Sequence, residues 1–194
     1  MANVTRRGFM SLFAAPVASA GPRMATSQKS PQAHRFKDDG TFPNSRYPAL
    51  VYTGLLGKGD ELAIRFERLF AKNGWSASWR NGLYRVHHYH SVAHEVLGVY
   101  SGSVKVRLGG EGGLLVTLRA GDVAVLPAGV AHKNEEQSPD FRVVGAYAHG
   151  ISPDLNYGKA GERPGTDKNI AAVRLPETDP LQGKDGALRK LWRA

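Results

Sequence analysis

The sequence contains no cysteine. That absence excludes thiolate nucleophiles, disulfide staples, zinc ribbons and iron–sulfur clusters, and it leaves the redox compartment unreadable from disulfides. Any metal ion would have to be held by nitrogen and oxygen donors, which favours borderline and hard ions over copper(I). No apolar run approaches the roughly 18 residues of a spanning helix, so stable membrane insertion is not expected. Long blocks of one charge are missing as well. Lys and Arg outnumber Asp and Glu by 26 to 17, for a net charge of +9. Yet Arg65 and Arg68 stand beside Glu61 and Glu67, while Lys184, Arg189, Lys190 and Arg193 are spread out. This reads as a mildly basic, solvated surface that draws small anions, with no nucleic-acid partner expected. There is no Gly-x-Ser-x-Gly elbow to support a serine hydrolase. The run Gly109-Gly110-Glu111-Gly112-Gly113 lacks a following Lys-Ser/Thr and opens no helix, so it is a hairpin connection and no phosphate loop.

With 194 residues the chain is one domain's worth and long enough to bury a core unaided. Its first twenty residues have the three parts of an export signal. Arg6-Arg7-Gly8-Phe9 is basic, Ser11–Val17 is short and weakly apolar, and Ala18-Ser19-Ala20 supplies small residues for cleavage. The paired arginines resemble a bacterial twin-arginine signal, so a periplasmic or secreted destination is expected. The alternative is a cytoplasmic protein whose N-terminal segment is no signal but a disordered tail, or whose first residue is Met24. Loss of residues 1–20 would remove Arg6 and Arg7 and no acid, leaving a mature charge of +7. Residues 21–35 are polar and patternless and read as a linker. The domain is expected over 36–194.

Between Asp60 and Asn73 the apolar residues Leu62, Phe66, Leu69 and Phe70 share one helical face, Glu61 and Arg65 pair at i,i+4, and Asn73-Gly74 is a stop. Beyond this helix the period changes to that of strands. Segments 48–52, 84–90, 95–100, 104–108, 114–118, 123–126 and 141–147 are short, β-branched or aromatic, and parted by Gly or Pro. A further strand is expected around 172–175 in an otherwise loop-rich tail. Many short strands without internal repeats indicate an all-β sandwich or barrel.

Four of the seven histidines fall within eight residues: His87, His88, His90 and His94. In a strand, positions two apart share a side, so His88 and His90 can both face a barrel interior while His87 and Tyr89 face away. With Glu95 five residues on, and His132 opening a new strand after Pro127-Ala128-Gly129, four donors can meet at one ion. Left unpartnered, each such buried group would cost about 1–3 kcal/mol. An ion removes that cost.

The spacing resembles a known pattern. Gly82, five residues, His88-x-His90, four residues, Glu95, six residues and Gly102 match the first cupin motif. Gly121, five residues, Pro127-x-Gly129, two residues and His132 match the second; its usual terminal Asn is here Glu136, with Asn134 nearby. The motif core is 82–134. Together with 66–75 and the tail around 156–164, the chain resembles the small bacterial YjlB-type cupins. That resemblance implies a double-stranded β-helix (jelly-roll) barrel with a central metal, and a homodimer.

Three imidazoles and one carboxylate fill four of six octahedral positions and leave two adjacent ones free, which suits iron, manganese or nickel; zinc or copper are alternatives. A dioxygenase-like or isomerase-like enzyme acting on a small oxygenated or anionic molecule is one expectation. A non-catalytic module that binds or stores a metal or small ligand is the other. Tyr84, Arg142 and Tyr147 are candidate substrate contacts, and His94 and Asn134 are candidates to support the ligands from behind.

Overall fold

A computed structural model of the chain describes Met1 and residues 30–193 except 58 and 60. Apart from Met1, the expected export segment lies outside the described residues. The elements run in the order β1 (Gln32–His34), β2 (Ala49–Tyr52), α1 (Leu62–Lys72), β3 (Trp75–Asn81), β4 (Glu95–Ser101), β5 (Ser103–Leu108), β6 (Leu114–Arg119), β7 (Val123–Leu126), β8 (His132–Gln137), β9 (Arg142–Ala148), α2 (Gly165–Ala172) and α3 (Ala187–Leu191). Two antiparallel sheets form, one ordered β1-β2-β7-β4-β9-β3 and the other β6-β5-β8. This is the all-β jelly-roll barrel of a cupin, with one helix near its N-terminal side.

The period of two explains how the barrel closes. On β2, β4, β7 and β9 one set of side chains (Ala49, Val51, Leu97, Val99, Ala124, Leu126, Val143) packs inward against Val104, Val106, Leu108 and Leu118 of the small sheet. The alternate set (Leu50, Tyr52, Val96, Val123, Val125, Val144, Ala146) faces outward, yet it is buried too. What covers it is α1, through Leu62, Ala63, Phe66 and Phe70, and the C-terminal segment, through Leu188 and Trp192. Phe66 and Phe70 stack at 5.5 Å. Fully burying one such ring contributes roughly 1.5–3 kcal/mol. The central strands are therefore apolar on both faces, which is why 123–126 reads as a continuous apolar run.

Several expectations need correction. Gln32–His34, expected within a linker, is a strand that pairs with β2 and satisfies the backbone of that edge. Glu61 and Arg65 form no ion pair among the described residues; α1 is tied instead by Glu67, which accepts from Arg80 Nε at 2.6 Å and Nη2 at 2.7 Å. Residues 172–175 are not a strand. Ala172 ends α2, and the next residues find no sheet partner before Pro176. The tail is held by Asp179, fully buried, which accepts from Tyr52 Oη (2.5 Å), Leu181 N (2.9 Å), Gln182 N (3.1 Å) and Leu188 N (3.0 Å). Trp192 completes the anchor by donating Nε1–H to Pro48 O at 2.8 Å.

Candidate metal centre

The segment 84–90, expected as a strand, forms no ladder. It makes two isolated bridges, His88 with His132 and Tyr89 with Asn156, and its ends accept from Asn134 N (Tyr84 O) and Gly129 N (His90 O). The segment meets the start of β8 and the tail instead of a long neighbouring strand, and Gly82, Leu83, Tyr84, His88 and His90 line a cavity there. Side-chain alternation nevertheless persists. His88 and His90 turn inward, while Tyr89 packs outside against Phe42 and Ala131 and bonds Glu162 Oε2 and Thr166 Oγ1, both at 3.1 Å. His87 also lies outside, buried beside Phe42 with ring centroids 5.3 Å apart. Glu95 opens β4 on its inward face, the face of Leu97 and Val99. His132 opens β8 after the Pro127–Gly129 turn. There Gly129 has φ of +93°, and a Cβ would come within 2.1 Å of Asn44 O, so glycine is the residue that fits.

One ring nitrogen from each of His88, His90 and His132 lies within 4.8 Å of the other two. The Nδ1 atoms are engaged elsewhere. His88 Nδ1 meets Val86 O at 3.2 Å, His132 Nδ1 meets Val130 O at 3.2 Å, and His90 Nδ1 meets Asp154 O at 2.5 Å. A carbonyl accepts only, so each Nδ1 carries a proton, and Nε2 is the atom that offers a lone pair when the ring is neutral. This is the backbone-carbonyl support that orients metal-ligating imidazoles in general. Glu95 Oε2 stands 3.3 Å from His132 Nε2 and 3.7 Å from His90 Nε2. All four side chains are buried.

The electrostatics fit a cation. His132 Nε2 and Glu95 Oε2 are buried without a hydrogen-bond partner. Burial, aided by the neighbouring His132 ring, pushes the His88 imidazole down to about 3, so it is neutral at pH 7. Burial also disfavours charge on His90, but the Glu95 carboxylate and the Asp154 carbonyl outweigh it and raise that group. Burial opposes ionisation of Glu95 too, yet His90 and His132 hold it well below the usual carboxylate range. A proton shared with Glu95 would serve one imidazole. A cation serves all four groups, and the donor set of three nitrogens and one carboxylate oxygen suits a divalent transition ion.

The cluster forms the floor of a cavity of about 430 Å³ whose walls include Trp79, Arg80, Leu83, Tyr84 and Tyr147. Of the three candidate substrate contacts, Tyr84 and Tyr147 line this cavity. Tyr147 lies directly opposite Glu95 in the β4–β9 ladder, and its ring meets that of His90 edge-on at 5.7 Å. Burial and the Glu95 charge hold its phenol well above the ordinary value. Tyr84 stands at the mouth, 57% exposed and edge-on to His88 at 5.1 Å. Arg142 is not there: it pairs with Ser101 at the far end of β9, is exposed, and donates to Phe141 O. Its even position puts it on the face opposite Tyr147.

The two supporting residues are also placed differently from expectation. His94 is buried, but it points away from the cluster, accepting from Ala128 N at 2.9 Å through Nδ1 and packing on Trp192. Asn134 bonds Gln137 and Leu83 O without touching His132; its backbone N–H donates to Tyr84 O at 2.8 Å, which sets the cavity rim. Sequence reasoning missed Asp154 and Trp79. Asp154 supports His90 through its carbonyl and clamps Ser91 with its carboxylate (N at 2.7 Å, Oγ at 2.5 Å). Nothing local in the tail marks it.

No family model matches the chain. Among solved structures, a protein with a double-stranded β-helix domain from Klebsiella pneumoniae subsp. pneumoniae overlaps 58% of this chain and 77% of its own, at 18% identity and a TM-score of 0.34. An acireductone dioxygenase from Bacillus anthracis with cadmium in its active centre overlaps 48% and 64%, at 20% identity and 0.34. The epimerase RmlC from Legionella pneumophila overlaps 61% and 71%, at 16% identity and 0.36. Overlaps this partial carry no functional argument. The informative relative is the uncharacterized protein YjlB of Bacillus subtilis (strain 168), 40% identical over 166 residues, which cover 85% of this chain and 98% of that one. With a barrel of this topology and a relative matched over nearly its whole length, the chain belongs to the YjlB family of cupins.

Proposed function

We propose that this chain is a mononuclear metalloprotein in which His88, His90, Glu95 and His132 hold one divalent transition ion, with iron, manganese or nickel favoured over zinc or copper. The observation that carries the reading is the shared orientation of the donors. Three imidazoles have their Nδ1 atoms engaged by backbone carbonyls, and their free nitrogens cluster beside an unpartnered carboxylate oxygen. Such an ion would supply Lewis acidity and open positions for a small ligand. The 430 Å³ cavity above the cluster supports a metal-dependent oxygenase or isomerase acting on a small oxygenated or anionic molecule. The protein's own part is to orient that molecule and exclude bulk water from the buried donors.

Elemental analysis of the purified protein tests this reading. One equivalent of transition metal is expected in the wild type, and less than a tenth of that in His90→Ala and His132→Ala. Equal occupancy in all three would remove the assignment. A loaded ion closed to every exogenous small ligand would replace the enzyme by a storage or structural role. A homodimer and export by the twin-arginine route belong to the same proposal; light scattering and cell fractionation test them.

A further inference from the structure

The β3 side of the cavity is built around a distortion. Between Ser76 and Trp79 the β3–β9 register shifts, and Ala77 has φ of +53°. Such bulges re-aim a side chain. Here the indole of Trp79 is laid across Gly145, its partner on β9. A Cβ on Gly145 would come within 2.2 Å of Trp79 Cε2 and Cζ2, so the ring reaches this position only over a glycine. From there Trp79 Nε1–H donates to Tyr147 Oη at 3.0 Å. Indole nitrogen donates and does not accept. The phenol therefore receives from Trp79 and keeps its own proton for another acceptor. Glu95 stands opposite it in the ladder and Tyr147 lines the cavity, so that proton is available to the carboxylate or to a molecule bound beside it.

The charge of the floor says what that acceptor is. Three neutral imidazoles and one carboxylate around a divalent ion would leave a net charge of +1 on a buried floor. A ligand with a single negative charge neutralises it, whereas a neutral one leaves it uncompensated and a dianion overshoots. We propose that Tyr147, held by Trp79, is the hydrogen-bond donor that orients the anionic oxygen of a small monocarboxylate in this cavity, and so selects that substrate class. The inference rests on the metal-binding reading above.

Cobalt(II) and glycolate separate the two. Full-length protein loaded with one equivalent of cobalt(II) is titrated with glycolate, followed by the visible cobalt absorption. Tyr147→Phe should take up cobalt as the wild type does but bind glycolate about tenfold more weakly, as expected for losing a hydrogen bond to a charged group. Trp79→Phe, which keeps the phenol but frees it, should weaken glycolate about threefold. It also answers the question should Tyr147→Phe fail to fold. Normal cobalt uptake with glycolate affinity unchanged in the variants overturns this inference alone, as does normal uptake with no glycolate binding by the wild type. No cobalt uptake by the wild type overturns both readings.

Discussion

His88 and His132, 44 residues apart in sequence, exchange backbone hydrogen bonds in both directions, His88 N to His132 O at 3.1 Å and His132 N to His88 O at 2.9 Å. Their rings consequently sit 4.1 Å apart between centroids. Two candidate ligands from separate motifs are thus locked together by main chain alone. Side-chain substitution at either position leaves those backbone bonds available, so the centre can lose a donor without losing its frame.

The first prediction uses that separation. If an ion binds the folded state alone, its removal lowers stability by RT ln(1 + [L]/Kd), about 2.7 kcal/mol at a hundredfold excess over Kd. Treatment with a chelator should lower the melting temperature of the wild type and leave that of His132→Ala unmoved. Differential scanning calorimetry with and without chelator checks this, and a wild type indifferent to chelation would count against a bound ion.

Gly145→Ala tests the seating of the indole. The added methyl enters the space of Trp79. Overpacking of that kind costs roughly 1–3 kcal/mol. A urea midpoint equal to that of the wild type would show that Trp79 does not lie across Gly145 as described.

Glu162 should contribute to acid sensitivity. Burial raises its carboxyl, but the N–H groups of Tyr157 and Gly158, bonded at 2.8 Å each, outweigh burial and hold it below its ordinary value. A carboxylate depressed in the folded state stabilises fully above its unfolded pKa, about 4.3, and loses that contribution as pH falls through the folded value. In Glu162→Gln, the fall in melting temperature between about pH 5 and pH 3 should therefore be shallower than in the wild type. Parallel profiles for the two proteins would contradict the assignment.

Export is tested by charge-conserving substitution. With Arg6 and Arg7 both replaced by Lys, the protein is expected to stay inside the cell with its N-terminal segment uncut. Unchanged periplasmic delivery of the variant would rule out the twin-arginine route.

Much of the fold was legible because the relevant patterns are local. Leu62, Phe66 and Phe70 fall at intervals of four, and a helix follows whatever it packs on. Alternation in 104–108 marks a strand whose outer residues Lys105 and Arg107 meet Glu136 and Glu135. The strand expected at 84–90 failed for a physical reason. Its residues have β-forming side chains, but a ladder depends on a continuous neighbour, and here the backbone bonds are scattered over β8, the Pro127–Gly129 turn and the tail.

The sequence by itself determined that two inward histidines, a carboxylate and a third histidine would be available to one interior, since period two and motif spacing are properties of a short stretch of chain. Only the tertiary structure decided what surrounds them. The Asp154 carbonyl reaches His90 across 64 residues, Tyr147 stands opposite Glu95, and Trp79 is turned onto Tyr147 over Gly145. Arg142, on the same strand as Tyr147, is carried out of the cavity by that same register. These placements depend on strand register between distant segments. A slip of one residue would reverse every face, and the sum of packing and backbone hydrogen bonds over the whole barrel selects among the alternatives.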